Sequence, residues 1–287
     1  MPGVRPPEFV DAWNPHIPGV REVFHARFVE HTYPLHTHDA WTVLLVDEGT
    51  VRYALDRHEH GTLTRSVSVL PPHVAHDGRA VTPSGFRKRV LYLDRAVVGD
   101  QLIGRAVDRP TIRDPALVRS IGALHTSLLR PGDALEAETR VAFVAERLVT
   151  HLAGAVDALS ALDAGRPGAS LLGRDPAPHR PGLADDLRDL LDADVLTTAT
   201  LRDLASRLGA SPTHLVRAFT ARFGVPPHAY LVGRRVELAR GLLLEDQAPA
   251  AVAAAAGFHD QAHLTRHFRR HVGTTPGRFR RRAGARG

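Results

Sequence analysis

Two groups of residues in this chain have types and spacings that could do chemistry. His36-Thr37-His38 places two imidazoles on the same side of a strand, because side chains two residues apart share a face. His76 follows the turn Pro71-Pro72-His73 and could join them. Imidazole binds transition metals and also exchanges hydrogen bonds with ligands near neutral pH. The second group is a set of arginines near the C-terminus, whose planar guanidinium groups suit phosphate and guanine.

The composition limits the class of protein to which these residues belong. A chain of 287 residues with 43% hydrophobic and 24% charged side chains is predicted to fold as two domains. The absence of cysteine excludes disulfides, thiolate nucleophiles and cysteine-bound zinc, so a metal would need histidine and carboxylate ligands. There is no apolar run of membrane-spanning length and no secretory pattern, which predicts a cytoplasmic protein without a membrane partner.

The excess positive charge lies in the last third of the chain. Residues 1–181 carry 21 basic and 21 acidic side chains, whereas residues 182–287 carry 16 and 10. No acidic residue follows Asp260, but eight arginines do. This asymmetry favours a polyanion such as nucleic acid as the partner, the alternative being a solvated basic tail.

A stretch rich in alanine, glycine, proline and aspartate separates the neutral part of the chain from the basic part. This composition is typical of a linker, which we assign to residues 154–182. The predicted organisation is therefore a first domain over residues 1–153, a second over residues 183–282 and a tail over residues 283–287.

One pattern occurs twice in the basic part, at an offset of 48 residues up to Gly209 and, after one added residue, of 49 residues from Ser211 onward. Each copy is predicted to form two helices joined by a short turn that contains Gly209 or Gly257. This is the pattern of a helix-turn-helix, whose second helix enters the DNA major groove. The corresponding residues are Ser211, His214, Leu215, Arg217, Phe219, Gly224, Pro227 and Tyr230 in the first copy, and Asp260, His263, Leu264, Arg266, Phe268, Gly273, Pro276 and Phe279 in the second.

The segment between the two copies is predicted to be one helix over residues 226–244. At about 1.5 Å per residue its length is roughly 28 Å. This length is close to the turn of roughly 34 Å that separates successive major-groove faces on one side of B-DNA. One chain could therefore read two adjacent grooves.

This arrangement resembles the DNA-binding domain of the AraC/XylS family of transcription regulators over residues 183–282. Its most specific part is Gly257-Phe258 followed by Phe268, Gly273, Pro276, Phe279 and Arg280. The resemblance implies base contacts from Thr213, Arg217, Gln261, His263 and Arg266, while Ala262 faces the bases without a side-chain hydrogen bond. We assign phosphate contacts to Arg269, Arg270, Arg280 and Arg281, and a frayed tail is the alternative for the last two.

The first domain shows evenly spaced short apolar segments between turns, which predicts an all-β sandwich or barrel. These segments are residues 23–28, 41–46, 51–55, 66–70 and 87–93. The His-x-His and the proline-rich turn that ends in histidine resemble the two motifs of the cupin barrel. We therefore expect an α+β fold of two domains: an N-terminal cupin-like β-barrel with a helical hairpin, and a C-terminal all-α double helix-turn-helix.

Three interpretations of His36, His38 and His76 remain open: a metal site, the polar lining of an effector pocket, or structural residues of the barrel. Metal-binding cupins also carry a glutamate four or five residues after the second histidine, where this chain has Thr42 and Val43. We therefore predict no metal or other cofactor. We assign the effector pocket to His36, His38, Trp41, His76 and Lys88, with Tyr53 as a further candidate.

Two amphipathic helices are expected after the barrel, with apolar stripes typical of a domain core. The stripes are Leu117, Ile121, Leu124 and Leu128, then Val141, Val144 or Ala145, Leu148 and Leu152. The family resemblance implies that one of these helices also forms the seam of a homodimer.

The leading hypothesis is a sequence-specific transcription regulator controlled by a small-molecule effector bound in the N-terminal barrel. Its expected partners are double-stranded DNA, the effector, a second copy of the chain and RNA polymerase. The alternative is an effector-independent DNA-binding regulator whose barrel serves only dimerisation. We predict no enzymatic activity, because the carboxylate of a cupin metal site is missing and no other catalytic motif is present.

Overall fold

The first part of the chain folds into two antiparallel β-sheets. The computed structural model describes residues 7–62, 64–129, 134–154 and 182–283. The larger sheet has the strand order β1-β2-β9-β4-β7-β10 and the smaller sheet the order β3-β8-β5-β6. The strands are β1 Phe9–Trp13, β2 Val20–Phe28, β3 Thr32–His36, β4 Trp41–Gly49, β5 Val51–Leu55, β6 His58–Thr62, β7 Val67–Leu70, β8 His76–Ala80, β9 Phe86–Leu93 and β10 Thr111–Ile112.

The five predicted strands are confirmed as β2, β4, β5, β7 and β9. Of the predicted sandwich or barrel, the described strands form the sandwich, because they make two separate sheets and not a closed barrel. A sandwich and a barrel have the same alternation of apolar residues and the same turn spacing, so the sequence pattern cannot distinguish them.

Helices cover one face of the larger sheet. They are α1 Arg95–Val98, a short 3₁₀ turn at Asp100–Leu102, α2 Ile103–Asp108, α3 Pro115–Ser127 and α4 Ala134–Ala153. The predicted hairpin is α3 and α4, and its two apolar stripes are buried in one cluster with the strand residues Val23, Val43 and Leu91. These stripes are thus core, as their spacing predicts.

Trp41 belongs to this cluster and not to an effector pocket, so its assignment to the pocket is wrong. Its side chain is fully buried on the helix-covered face of the larger sheet. Side chains of a strand alternate between the two faces, so the neighbouring Thr42 and Leu44 face the space between the sheets instead. Because side chains alternate along β4, an error of one residue in the predicted direction of its side chains assigns Trp41 to the wrong face of the sheet.

The second part of the chain is entirely helical where it is described. Its helices are α5 Leu183–Ala193, α6 Leu201–Arg207, α7 Pro212–Phe223, α8 Pro227–Leu244, α9 Pro249–Ala255, α10 Gln261–Val272 and α11 Pro276–Ala283. The two predicted helix-turn-helix units are α6–α7 and α9–α10, joined by the predicted long helix α8. The predicted linker, 154–182, and tail, 283–287, lie almost wholly outside the described residues.

The two parts share a hydrophobic core. One buried cluster contains Phe24 and Leu44 from the larger sheet together with Val236 of α8, Phe268 of α10 and Phe279 of α11. The helical part is therefore packed directly against the open side of the sandwich. No described helix combines the length and the apolar character needed to cross a bilayer.

Candidate functional site

A cavity lies between the two sheets and is closed by the helical domain. The open space at its centre is about 50 Å³, which is room for a few water molecules. Its walls combine apolar and titratable side chains. The titratable residues among them are Tyr33, His36, His38, Tyr53, His76, Asp77, Lys88, Tyr92, Arg240 and His271.

The cavity brings together the three histidines that the sequence singles out. Their exposed fractions are 9% for His36, 8% for His38 and 3% for His76. One ring nitrogen from each of the three lies within 4.8 Å of the others. The Nε2 atoms of His36 and His38 are 3.2 Å apart. The end of β3, the loop that follows it and the start of β8 supply these side chains.

Each of these imidazoles is held by an oxygen atom on its other side. Nδ1 of His36 lies 2.7 Å from the carbonyl oxygen of Pro34, and Nδ1 of His76 lies 3.0 Å from that of Val74. Nδ1 of His38 lies 2.9 Å from Oε1 of Glu237 in α8. A carbonyl or carboxylate oxygen only accepts hydrogen bonds, so each Nδ1 carries the proton and each Nε2 presents a lone pair.

Burial keeps these imidazoles neutral. It lowers the pKa of His36 and of His38 well below 6.5, and the neighbouring histidine charges act in the same direction. Burial likewise lowers the pKa of His76 to about 4. The site therefore presents neutral imidazole nitrogens at physiological pH.

Lys88 supplies a cation to the same cavity. Its Nζ lies 4.2 Å from the centre of the Tyr33 ring and 5.5 Å from that of Phe24. Burial, with a smaller contribution from the charge of Arg240, lowers the pKa of Lys88 to about 7. Among the described contacts, no carboxylate pairs with this ammonium group. The cavity thus holds a cation that an anion could stabilise.

Arg240 of α8 closes the cavity from the helical domain. Its guanidinium donates to the carboxylate of Glu22 in β2 at 2.5 and 3.1 Å, and both side chains are 8% exposed. The same guanidinium lies 4.5 Å from the centre of the Tyr92 ring. Burial raises the pKa of Glu22, while Arg240 acts in the opposite direction. This buried ion pair joins the two domains at the wall of the cavity.

Further polar contacts join the domains beside this pair. Asp39 accepts from Arg234 of α8 at 3.2 Å and lies 3.2 Å from His73. The Tyr230 hydroxyl lies 3.3 Å from Nδ1 of His73. Arg57 of the sheet domain donates to the carbonyl oxygen of Ala221 in α7.

The predicted reading helices α7 and α10 expose most of the side chains that the sequence assigns to DNA bases. Thr213, Arg217, Gln261 and Arg266 are exposed. His263 is partly buried, with its ring 5.4 Å from that of Phe258 and 4.8 Å from that of His267.

The arginines assigned to phosphates are placed differently from one another. Arg269 and Arg270 are exposed on α10, where a groove also contains His31 and Thr32 of the sheet domain. Arg280 on α11 forms an ion pair with Asp246 at 2.7 Å. The side chain of Arg281 lies outside the described residues.

Local signals begin and end both reading helices in the same way. The Ser211 hydroxyl accepts from the His214 N–H at 3.2 Å, and the Asp260 carboxylate accepts from the His263 N–H at 2.7 Å. Gly224 and Gly273 end the helices in the left-handed region, at φ of 74° and 84°. Glycine adopts this conformation at little cost, so both helices stop at matched positions.

We expect Ser211→Ala to lower the free energy of unfolding by about 1 kcal/mol, because the first turn of α7 loses its N-cap. Chemical denaturation of the full chain measures this change. Ser206→Ala makes the same substitution at an exposed position inside α6 and is expected to be neutral within about 0.5 kcal/mol. Equal effects of the two substitutions would contradict the capping role.

The sequence pattern did not indicate Glu22, Glu237 or Arg240 as site residues. Glu22 lies in a strand and the other two lie in the helix between the repeats. When each helix or strand is considered alone, a charged residue at these positions is typical of a solvent-exposed face. One feature of the sequence could have indicated that Arg240 is buried. Its neighbours on the same helix face, Val236 and Leu243, are apolar.

Comparison with protein families finds two matches, in the order of the two domains. Residues 18–142 match the AraC-like ligand binding domain, and residues 204–282 match a helix-turn-helix domain.

Similar proteins extend over most of the chain. The transcriptional activator NphR of Rhodococcus sp is 28% identical over 262 residues, which covers 85% of this chain and 70% of NphR. The uncharacterized HTH-type transcriptional regulator YbfI of Bacillus subtilis is 24% identical over 255 residues, which covers 85% of each chain.

Solved structures share the whole two-domain fold. A structure of ToxT from Vibrio cholerae has a TM-score of 0.54 and 10% identity, covering 91% of this chain and 97% of that one. A structure of ToxT with a bound unsaturated fatty acid has a TM-score of 0.50 and 10% identity, covering 96% of this chain and 95% of that one.

Proposed function

Because this chain belongs to the AraC-type transcription regulators, with an N-terminal ligand-binding domain and a C-terminal helix-turn-helix domain, we propose that an effector in the cavity between its sheets controls its binding to specific DNA sites. The observation that carries this proposal is that both domains form the walls of one cavity. Arg240, His271 and Val272 come from the DNA-binding domain, and the remaining lining comes from the strands and loops of the N-terminal domain. A ligand there interacts with both domains at once, so its binding free energy depends on their arrangement.

The same interface reaches both reading helices. Arg57 contacts the end of α7, and His31 and Thr32 flank the outward face of α10. A change in the packing at the cavity therefore alters the surroundings of the DNA-reading surface. We propose that Arg217 and Arg266 read guanines and that Gln261 reads an adenine, through their planar groups. Arg269 and Arg270 would hold phosphates beside them.

Capture of genomic DNA by the purified full chain, followed by sequencing, tests the DNA part of this proposal. We expect a small set of recovered sites with a common motif. Recovery of random genomic fragments, with affinity that depends only on salt, would contradict sequence-specific binding.

We propose that the effector is a carboxylate with an apolar body. Lys88 supplies a positive charge that no described carboxylate pairs, inside a cavity whose other walls include Phe24, Leu44 and Val51. One of the similar ToxT structures contains a bound unsaturated fatty acid, a ligand of this chemical class. The cavity has to open by side-chain or domain movement to admit such a ligand, because only about 50 Å³ of it is free.

Octanoate, used below its micelle-forming concentration, is a suitable probe of this effector class. We expect it to raise the melting temperature of the full chain, whereas the uncharged 1-octanol raises it much less. Octanoate is also expected to change the affinity for the captured DNA sites. No melting shift and no change in DNA affinity with octanoate would contradict a carboxylate effector and favour an N-terminal domain that serves only dimerisation.

The pKa of Lys88 predicts the pH dependence of octanoate binding. Lys88 is charged below its pKa of about 7 and loses its charge above it. The nearby histidines and tyrosines stay neutral through this range, because burial lowers the pKa of His36, His38 and His76 and raises that of Tyr33 and Tyr92. Arg240 stays charged throughout.

Octanoate affinity is therefore expected to be highest below pH 7 and to fall about tenfold per pH unit above it. Calorimetric titration at several pH values measures this. Lys88→Met is expected to give weak binding at every pH and to remove the pH dependence. An unchanged pH profile in Lys88→Met would show that another group interacts with the carboxylate.

We further propose that the protein acts as a homodimer in the cytoplasm, with RNA polymerase as a partner at the promoters it regulates. The exposed side chains of Leu135 and Phe143 on α4, at 75% and 59%, support a seam formed by this helix. Light scattering at micromolar concentration tests the dimer, and Leu135→Glu is expected to produce monomers. A monomeric wild-type chain would contradict it.

A further inference from the structure

We propose that His36, His38 and His76 form a binding site for one divalent transition-metal ion, with Glu237 of the DNA-binding domain holding the His38 ligand in place. The proposal does not depend on the identity of the effector, because it rests on the positions of the ring nitrogens and on the hydrogen bonds of the rings. No carboxylate follows the His-x-His motif in the sequence, but the fold brings one to the cluster from a helix 199 residues away along the chain.

The three rings bring ring nitrogens close together. Oxygen acceptors on the Nδ1 side leave Nε2 of each ring without a proton. The Nε2 atoms of His36 and His38 nevertheless lie 3.2 Å apart. Two lone pairs facing each other at this distance repel, unless a positive charge lies between them. The third histidine offers a ligand atom within 4.8 Å of the others.

The distance between the Nε2 atoms of His36 and His38 agrees with coordination of one metal ion. Two imidazole nitrogens bound to one tetrahedral Zn²⁺ at about 2.0–2.1 Å are about 3.3–3.4 Å apart. The hydrogen bonds on the Nδ1 side are those that orient metal-binding histidines in proteins, and the His38–Glu237 contact is of the carboxylate–histidine kind. Three imidazoles select a transition metal such as Zn²⁺, Co²⁺, Ni²⁺ or Fe²⁺ over Mg²⁺ or Ca²⁺.

The charges around the cluster partly offset one another. Lys88 and Arg240 disfavour a cation in the cavity, but Glu22 pairs with Arg240 and Glu237 faces His38. Three protein ligands also leave a coordination position for water or for an anionic donor.

The position of Glu237 gives the site a regulatory consequence. Glu237 also accepts from the backbone N–H of Asp39 at 3.1 Å and from Arg234. A metal that withdraws electron density from His38 strengthens the hydrogen bond from its Nδ1 to this carboxylate. Metal binding is therefore expected to stabilise the contact between α8 and the sheet domain.

Titration of the tag-free full chain with Co²⁺, after dialysis against a chelator, tests this site. We expect one Co²⁺ per chain, a visible absorption band typical of nitrogen-bound Co²⁺, and competition by Zn²⁺ but not by Mg²⁺. His36→Ala and His76→Ala should each weaken binding by about 100-fold, and Glu237→Gln by about tenfold. The matched control, His58→Ala, removes an exposed histidine of the same domain and should leave binding unchanged.

Circular dichroism verifies that each variant is folded before its titration is interpreted. If a histidine variant does not fold, the wild-type absorption band and its loss on addition of Zn²⁺ still decide the question. Wild-type protein that binds Co²⁺ no more tightly than the folded histidine variants, or that gives no band, would overturn the proposal. The octanoate and DNA measurements are carried out in the presence of chelator, so their outcomes are separate from this one.

Discussion

Glu22→Gln is expected to weaken the packing of the DNA-binding domain on the sheet domain by about 3–5 kcal/mol. The substitution keeps the size of the side chain but removes the charge that balances Arg240, whose side chain is 8% exposed. A buried guanidinium without a counter-charge is strongly unfavourable. Chemical denaturation measures the loss of stability, and small-angle X-ray scattering measures the accompanying separation of the domains.

A double substitution separates the charge from the packing. Glu22→Met together with Arg240→Met removes both charges and leaves an apolar contact of similar volume. We expect this variant to be more stable than either single variant, because a matched apolar pair carries no unbalanced charge. Single variants within about 1 kcal/mol of wild type, with unchanged scattering, would show that this ion pair does not hold the domains together.

Arg266→Ala is expected to weaken binding to a captured specific site by about 1–3 kcal/mol, which is about 5- to 150-fold. The side chain is exposed on the outward face of α10 and lies in the groove with Arg269 and Arg270. Loss of a bidentate contact to guanine removes discrimination at one base pair, so binding to random DNA should change much less. Fluorescence anisotropy with specific and random duplexes measures both affinities.

Arg270→Ala is the matched control, because it removes the same side chain from the same helix. It is expected to weaken specific and random binding equally and to reduce the slope of log affinity against log salt concentration by about 1. If Arg266→Ala behaves in the same way as Arg270→Ala, then Arg266 contacts only phosphate.

The helical domain could be predicted closely from the sequence because its signals are local. Ser211, Asp260, Gly224 and Gly273 are capping residues that act within one turn of their own helices. The internal repeat then gave the order of the elements. The strands were also predicted from the local alternation of apolar residues. The pairing of edge strands distinguishes a sandwich from a barrel, and it depends on residues far apart in the chain.

The candidate site could be predicted only in part. His36, His38, His76 and Lys88 line one cavity. The contribution of Glu22, Glu237 and Arg240 arises from the packing of one domain on the other. Contacts between residues this far apart in the chain leave no periodic signal in a single sequence. For the same reason, the facing of Trp41 could not be set without the sheet.

Footprinting of the full chain on its captured specific site tests most directly whether the two reading helices occupy consecutive major grooves. We expect two protected segments on one face of the duplex, centred about 10–10.5 base pairs apart for each chain. Arg217→Ala should remove protection at one segment and Arg266→Ala at the other. Protection confined to a single groove, or loss of both segments with either substitution, would contradict reading by two helices of one chain.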